Sequence, residues 1–300
     1  MRATSRWNGI HRLSVEPARR SYVTRGLTLS YCEWGAADAP AVVMVHGGLE
    51  NARAWDQTAR ALADKWRVIA VDQRGHGESG WASGGAYAVL DFASDLAALF
   101  EQAGLERAAV VGHSLGGATA TCFAALYPEK VSRLCNVEGL RPVSQTGPAT
   151  MDEHFVAIRK WADKAAGGMG GRERVYPDLD AMARRLMEAD PLMPEATARA
   201  FVETNAKQAQ GGLAWKYDPL VRETALVTMI GPPPTEFWQR IECPVLLVYG
   251  KDSWAVSPAK DGRASHFRDA RVVEVEGAGH NVHHHQPERF VDLLREFLGA

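Results

Sequence analysis

The stretch Val110-Val111-Gly112-His113-Ser114-Leu115-Gly116-Gly117 leads from the apolar run Ala108 to Val111 into the small-residue run Ala118 to Ala125. The apolar run reads as a strand, and the Ala, Thr, Cys, Phe and Leu that follow are compatible with a helix. Gly-x-Ser-x-Gly joins them by a sharp turn. In such a turn the serine takes a strained backbone conformation, and a Cβ at either flanking glycine would collide with the neighbouring strand or helix. The serine hydroxyl is then exposed at the tip of a sheet, with a helix N-terminus behind it that favours a developing negative charge. A glycine-rich turn that merely contains serine is the plain alternative, since turns favour these residues.

Composition narrows the setting. The chain has 300 residues, 46% of them hydrophobic and 23% charged, as expected of a globular protein with a substantial core. Lys and Arg number 34 against 36 Asp and Glu, a net charge of -2, so neither nucleic acid nor an anionic membrane is an expected partner. Cys32, Cys122, Cys135 and Cys243 lie far apart in apolar contexts without metal-ligand spacing. They read as buried, reduced thiols of a cytoplasmic protein. No apolar run approaches the length of a membrane span. Arg2, Arg6, Arg12, Arg19 and Arg20, opposed only by Glu16, mark residues 1–20 as a flexible, solvated leader.

Beyond that leader the chain alternates. Ser21 to Thr24 and Leu27 to Glu33 flank Arg25-Gly26 as a hairpin, and Ala41 to Val45 is a strand buried on both faces that ends in His46-Gly47-Gly48-Leu49. A helix from Trp55 to Lys65 leads to the strand Arg67 to Val71 and the loop Asp72-Gln73-Arg74-Gly75-His76-Gly77-Glu78-Ser79. Leu90, Ala93, Leu96, Ala97 and Phe100 give Tyr87 to Gly104 a helical stripe, with Gly104 as C-cap. Val131 to Val137 is the next strand, ending at Glu138-Gly139-Leu140-Arg141-Pro142. From there to Ile241 the strands stop. Helical patterns at Met151 to Lys164, Leu179 to Glu188 and Glu195 to Gln208 are broken by Gly167 to Gly171 and Pro232 to Pro234. Alternation resumes with the strand Val245 to Tyr249, the loop Gly250-Lys251-Asp252-Ser253, the strand Arg271 to Val275, the loop Gly277-Ala278-Gly279-His280 and a helix from Pro287 to Leu298. The fold class is α/β, a mostly parallel, doubly wound sheet (residues 21–140 and 241–300) with a helical insertion over 141–240. Reactive loops then cluster at the C-terminal ends of the strands.

Taken in order, these strand-end loops resemble those of the α/β-hydrolase superfamily over nearly the whole chain outside the leader, and the insertion looks like that family's helical cap. The resemblance implies a hydrolase. Ser114 is then the nucleophile and His280 its base, because a neutral hydroxyl needs a base within hydrogen-bond reach. The oxyanion donors implied are the backbone N–H groups of Gly48 and Leu115. His46 braces its loop, and His113 lines the pocket without acting as a base. The acid departs from the usual pattern. Many relatives carry it three residues past the glycine that ends the seventh strand, where this chain has Ser253, with Asp252 one position earlier. A subset that includes many haloalkane dehalogenases carries a glutamate after the sixth strand, where Glu138 stands. Glu138 and Asp252 are therefore alternatives for the acid.

The remaining conspicuous residues take plain readings. His283-His284-His285 reads as a solvated helix start, because adjacent residues point in different directions. Trp215, Tyr217, Trp238 and Trp254 read as core or cap packing, one or two of them lining the pocket. No dinucleotide or phosphate-binding glycine pattern occurs, and no cofactor or metal is expected. Serine rather than aspartate at the elbow argues against dehalogenase and epoxide hydrolase chemistry. A small-molecule carboxylic ester is the expected substrate. The alternatives are a C–C bond hydrolase of dienoic ring-fission products, a cofactor-free haloperoxidase or perhydrolase, and a hydrolase-like receptor.

Overall fold

Runs of Val, Ile and Ala build the centre of the sheet because strands covered on both faces exclude polar side chains. In chain order the strands are β1 (Ala18–Thr24), β2 (Leu27–Trp34), β3 (Ala41–Val45), β4 (Arg67–Val71), β5 (Ala108–His113), β6 (Val131–Val137), β7 (Ala206–Ala209), β8 (Gly212–Trp215), β9 (Val245–Gly250) and β10 (Ala270–Val275). The helices are α1 (Asp56–Leu62), α2 (Val89–Gln102), α3 (Leu115–Leu126), α4 (Leu179–Ala189), α5 (Glu195–Asn205), α6 (Thr235–Trp238), α7 (Val282–His285) and α8 (Pro287–Leu298). The structure is a computed structural model that describes residues 16–83, 85–140, 173–222 and 235–299, with positions 156, 159 and 163.

One eight-stranded sheet runs β1-β2-β4-β3-β5-β6-β9-β10. β1 pairs antiparallel with β2 and β2 with β4, and the remaining pairs are parallel. Alternate residues serve opposite cores. Val43, Val45, Ile69, Val71 and Val110 pack with Leu96, Leu99 and Phe100 of α2 and Phe123 of α3. Val42, Met44, Val68, Ala70 and Val111 pack with Leu62 of α1 and Phe290, Leu293 and Leu294 of α8. Each such side chain contributes roughly 1.5–3 kcal/mol by leaving water.

The structure differs from expectation in three places. Leu90 is 60% exposed, and the buried stripe of α2 runs through Phe92, Leu96, Leu99 and Phe100 instead. That stripe has the i, i+4, i+7, i+8 spacing of one helix face, from which Leu90 is turned away. Asp95 shares the buried face because Arg74 pairs with it through two contacts of 2.6 Å. Secondly, the first strand begins at Ala18, inside the expected leader, and Arg19 and Arg20 are held there by Asp72 at 2.9 Å and Glu33 at 3.0 Å. Residues 1–15 lie outside the described residues.

The third difference lies in the insertion. The helix expected to reach Gln208 stops at Asn205, and a hairpin of β7 and β8 follows, turning at Gln210-Gly211. Gly211, at the second turn position, has φ 88°, a left-handed conformation that glycine adopts without strain. Of the helix expected over Met151 to Lys164, the described positions Val156, Arg159 and Asp163 are helical. The Gly167 to Gly171 and Pro232 to Pro234 breaks lie outside the described residues. Among the described residues no helix is long and apolar enough to cross a membrane.

Candidate active site

Ser114 connects β5 to α3 with φ 51° and ψ -115°, a region costly to any residue but glycine. The surroundings enforce it. Its amide donates to the Val137 carbonyl at 2.9 Å. A Cβ on Gly112 would strike the Gly116 carbonyl, and one on Gly116 would strike the carbonyls of Val45 and His46. The helix is thereby drawn against β3 and β5, and the serine side chain is left at the sheet edge. Here the strand order turns: β4 lies to one side of β3 and β5 to the other. Such a switch point opens a crevice at the strand ends. Ser114 lines a cavity of about 500 Å³ there, together with Gly48, His113 and His280. Tyr176, Leu186, Phe201 and Trp215 of the insertion form its opposite wall.

His280, on the loop after β10, points Nδ1 at Glu138 Oε2 at 2.7 Å. Glu138 follows β6 with φ 51°, and its side chain is fully buried. Both of its oxygens also accept from the end of β9 and the loop after it. The Gly250 amide donates to Oε1 at 2.7 Å and the Ser253 hydroxyl to Oε2 at 2.6 Å. Ser253 was not expected to take part; it stands where many relatives carry their acid, and only its place past β9 could have signalled a role. Asp252 is exposed, and its amide donates to the Ala278 carbonyl at 2.9 Å. The structure thus brings Glu138, and not Asp252, to His280.

The loop after β3 is braced from several sides. Gly48 is exposed to the cavity and faces Leu115. Leu115 opens α3, so its N–H has no carbonyl partner within the helix. The Gly47 amide donates to Glu50 Oε2 at 2.7 Å, and the Leu49 amide to His76 Nε2 at 3.3 Å. His46 Nε2 accepts from the Gln73 amide at 3.0 Å while Nδ1 meets the Gly47 carbonyl at 2.7 Å. An Nε2 that accepts a hydrogen bond, as in both His46 and His76, requires a neutral ring. Burial supplies the cause, pushing His46 down to about 4 and His76 down to about 3. These bracing roles of Glu50 and His76 were not legible as chemistry in the sequence.

His113 sits between acceptors, with Nε2 3.1 Å from the His280 carbonyl and Nδ1 3.4 Å from Glu50 Oε2. Burial alone would lower its affinity for a proton, but the Glu50 carboxylate overrides it and raises the pKa. The expectation for the histidine tract is overturned. His283, His284 and His285 form the turn α7 and are all buried. The rings of His283 and His284 do not diverge but lie together, centres 4.0 Å apart, and the turn is packed against its neighbours. His283 lies against Trp55 with ring centres 4.5 Å apart, His284 meets Phe201 edge-on, and His285 Nε2 reaches Asp190 at 2.8 Å. Of the aromatics, Trp238 is core, Trp215 and Tyr217 line the cavity, and Trp254 is 80% exposed with its ring 4.8 Å from that of His280.

A serine on a strained elbow and an imidazole backed by a buried carboxylate, both lining one cavity, can perform nucleophilic acyl transfer. A family model described as alpha/beta hydrolase fold matches residues 40–287. The chain is 31% identical over 280 residues to an sn-1-specific diacylglycerol lipase of Mus musculus, covering 91% of this chain and 86% of the relative. It is 29% identical over 278 residues to an esterase of Mycobacterium tuberculosis, covering 90% and 86%. Among solved structures, a thioesterase domain from the curacin biosynthetic pathway superposes with a TM-score of 0.81 at 26% identity, over 93% of this chain and 99% of that one.

Proposed function

The chain belongs to the α/β-hydrolase family, and from that premise we propose that it cleaves a carboxylic ester of a small molecule through an acyl-enzyme on Ser114. The observation that carries the reading is the 2.7 Å contact of His280 Nδ1 with Glu138, on a histidine that shares its cavity with Ser114. Ser114 Oγ attacks the ester carbonyl and His280 Nε2 takes its proton. Glu138 fixes the tautomer with hydrogen on Nδ1 and stabilises the imidazolium that forms. The oxyanion lies against the amides of Gly48 and Leu115. His280 returns the proton to the leaving alcohol, then activates the water that releases the acid. Among the described residues no hydrogen bond joins Ser114 Oγ to His280; in unliganded enzymes such bonds are often long and tighten around substrate.

The mouse lipase and mycobacterial esterase, named for ester cleavage, support the same class. The apolar wall of Tyr176, Leu186, Phe201 and Trp215 favours a hydrophobic acyl or alcohol part and supports a cap role for the insertion. The four unpaired cysteines support a reducing, cytoplasmic setting. A fluorophosphonate probe with peptide mapping tests the mechanism. Label should appear on Ser114, and Ser114→Ala should lose nearly all turnover on p-nitrophenyl esters while keeping the circular dichroism of the parent. Label on another residue, or full activity in the variant, would refute it.

A further inference from the structure

Behind the loop after β3 lie three side chains that the proposed ester chemistry leaves unused as ligands. Glu50, His283 and His284 are all buried, and one donor atom from each lies within 4.8 Å of the other two. Both ring nitrogens of His283 and Nε2 of His284 have no hydrogen-bond partner among the described residues. A buried polar atom without a partner is costly, and here one ring nitrogen of each histidine lies within 4.8 Å of the Glu50 carboxylate. Packing against Trp55 does not explain them, because Phe or Leu would fill that space without buried nitrogens.

The charge states also suit a ligand set. Burial holds His283 well below its ordinary range and His284 at about 4, so both imidazoles are neutral, the form that binds metal. Burial would push the Glu50 carboxyl up, but His113 outweighs it and holds the carboxyl well below its usual range, leaving an anion. Glu50 Oε2 accepts from Gly47, while Oε1 has no hydrogen bond among the described residues. Glu50 also lines the cavity, which gives an ion a route in from solvent.

We propose that Glu50, His283 and His284 bind one divalent transition ion of the zinc class, tying the loop after β3 to the turn α7. Two imidazoles and a carboxylate are a recurrent donor set for Zn²⁺, with a fourth position left for water. Zn–N bonds of about 2.0–2.1 Å in a tetrahedron place donors roughly 3.3 Å apart, so closure from the observed spacing needs only small side-chain rotations. Glu50 lies more than 230 residues from the two histidines in the chain. The unfolded state cannot hold them together, and an ion that binds only the folded form raises stability by mass action. This site stands whether or not the substrate is an ester.

The test uses the full chain, stripped by chelator and dialysed. One equivalent of Co²⁺ should give the visible ligand-field bands of a four-coordinate ion, and Zn²⁺ should displace them. Zn²⁺ at about 100 times its Kd should raise Tm by roughly 5 °C. His284→Gln should abolish the bands and the Tm shift while still reacting with fluorophosphonate at Ser114, which reports an intact fold. Should that variant fail to fold, anomalous diffraction from a Zn²⁺-soaked crystal of the unaltered chain takes its place, with the peak expected between Glu50, His283 and His284. Absence of micromolar binding, bands unchanged in His284→Gln, or a peak at His280 and Glu138 would each overturn the proposal.

Discussion

Ser253 stands where many α/β hydrolases keep their acid, and it donates its hydroxyl to Glu138. The carboxylate that meets His280 comes from the end of β6, and the residue after β9 hydrogen-bonds to it. Glu138→Gln should therefore lower kcat on the order of 10⁴, the scale seen when the acid of a serine protease triad becomes an amide. Asp252→Asn, on an exposed side chain, should change kcat tenfold or less on the same ester. The reverse ranking would show that Asp252 supplies the acid. The sequence left these two open for a physical reason. Both follow strands that end at the same sheet edge, and the choice depends on a backbone twist of φ 51° at Glu138 that no local pattern announces. Ser114 and His280 were easier to read, since each sits among glycines in a short strand-to-helix turn. The histidine tract was misread because its burial comes from Trp55 and Phe201, far away in the chain.

At the scale of elements, the junction of β5 with α3 is held by absence of side chains. A methyl group on Gly116 would meet two main-chain carbonyls of β3 and its loop, and main chain cannot rotate aside as a flexible side chain can. Gly116→Ala should destabilise by about 3 kcal/mol or more in urea unfolding, and it should slow fluorophosphonate labelling of Ser114 in the fraction that remains folded. A variant as stable as the parent would show that α3 can retreat freely. The strands of the sheet were legible because buried parallel strands are continuous apolar runs. The hairpin of β7 and β8 was not, because Ala206 to Ala209 carries no alternation and only Gly211-Gly212 signals a turn. The α2 stripe was misplaced toward Leu90 because several apolar residues on one helix support more than one face, and the sheet selects among them.

For the molecule as a whole, the buried imidazoles predict acid sensitivity with a definite sign. His46 and His76 titrate at about 4 and about 3 when folded, against about 6.5 in an unfolded chain. Between those values the unfolded chain binds more protons, so stability is lost as pH falls from about 6.5 toward 4, and neither residue contributes a slope above that window. The two protons of these rings alone correspond to roughly 2–3 kcal/mol per pH unit near pH 5, and the buried His283 and His284, lowered in the same direction, steepen the loss. Urea midpoints should therefore drop steeply between pH 6.5 and 5, and His46→Gln should flatten the curve by about one proton. Equal midpoints at the two pH values would show that the rings are not held neutral.

β6 and β9 are hydrogen-bonded neighbours from Leu134 with Val245 to Val137 with Val248, although the entire insertion separates them in the chain. Whatever is spliced between them leaves and re-enters through a single seam, and doubling the length of such an excursion costs only about 0.6 kcal/mol in closure entropy. Exchange, growth or loss within that excursion therefore costs the sheet little, and the strands that position Ser114 keep their register.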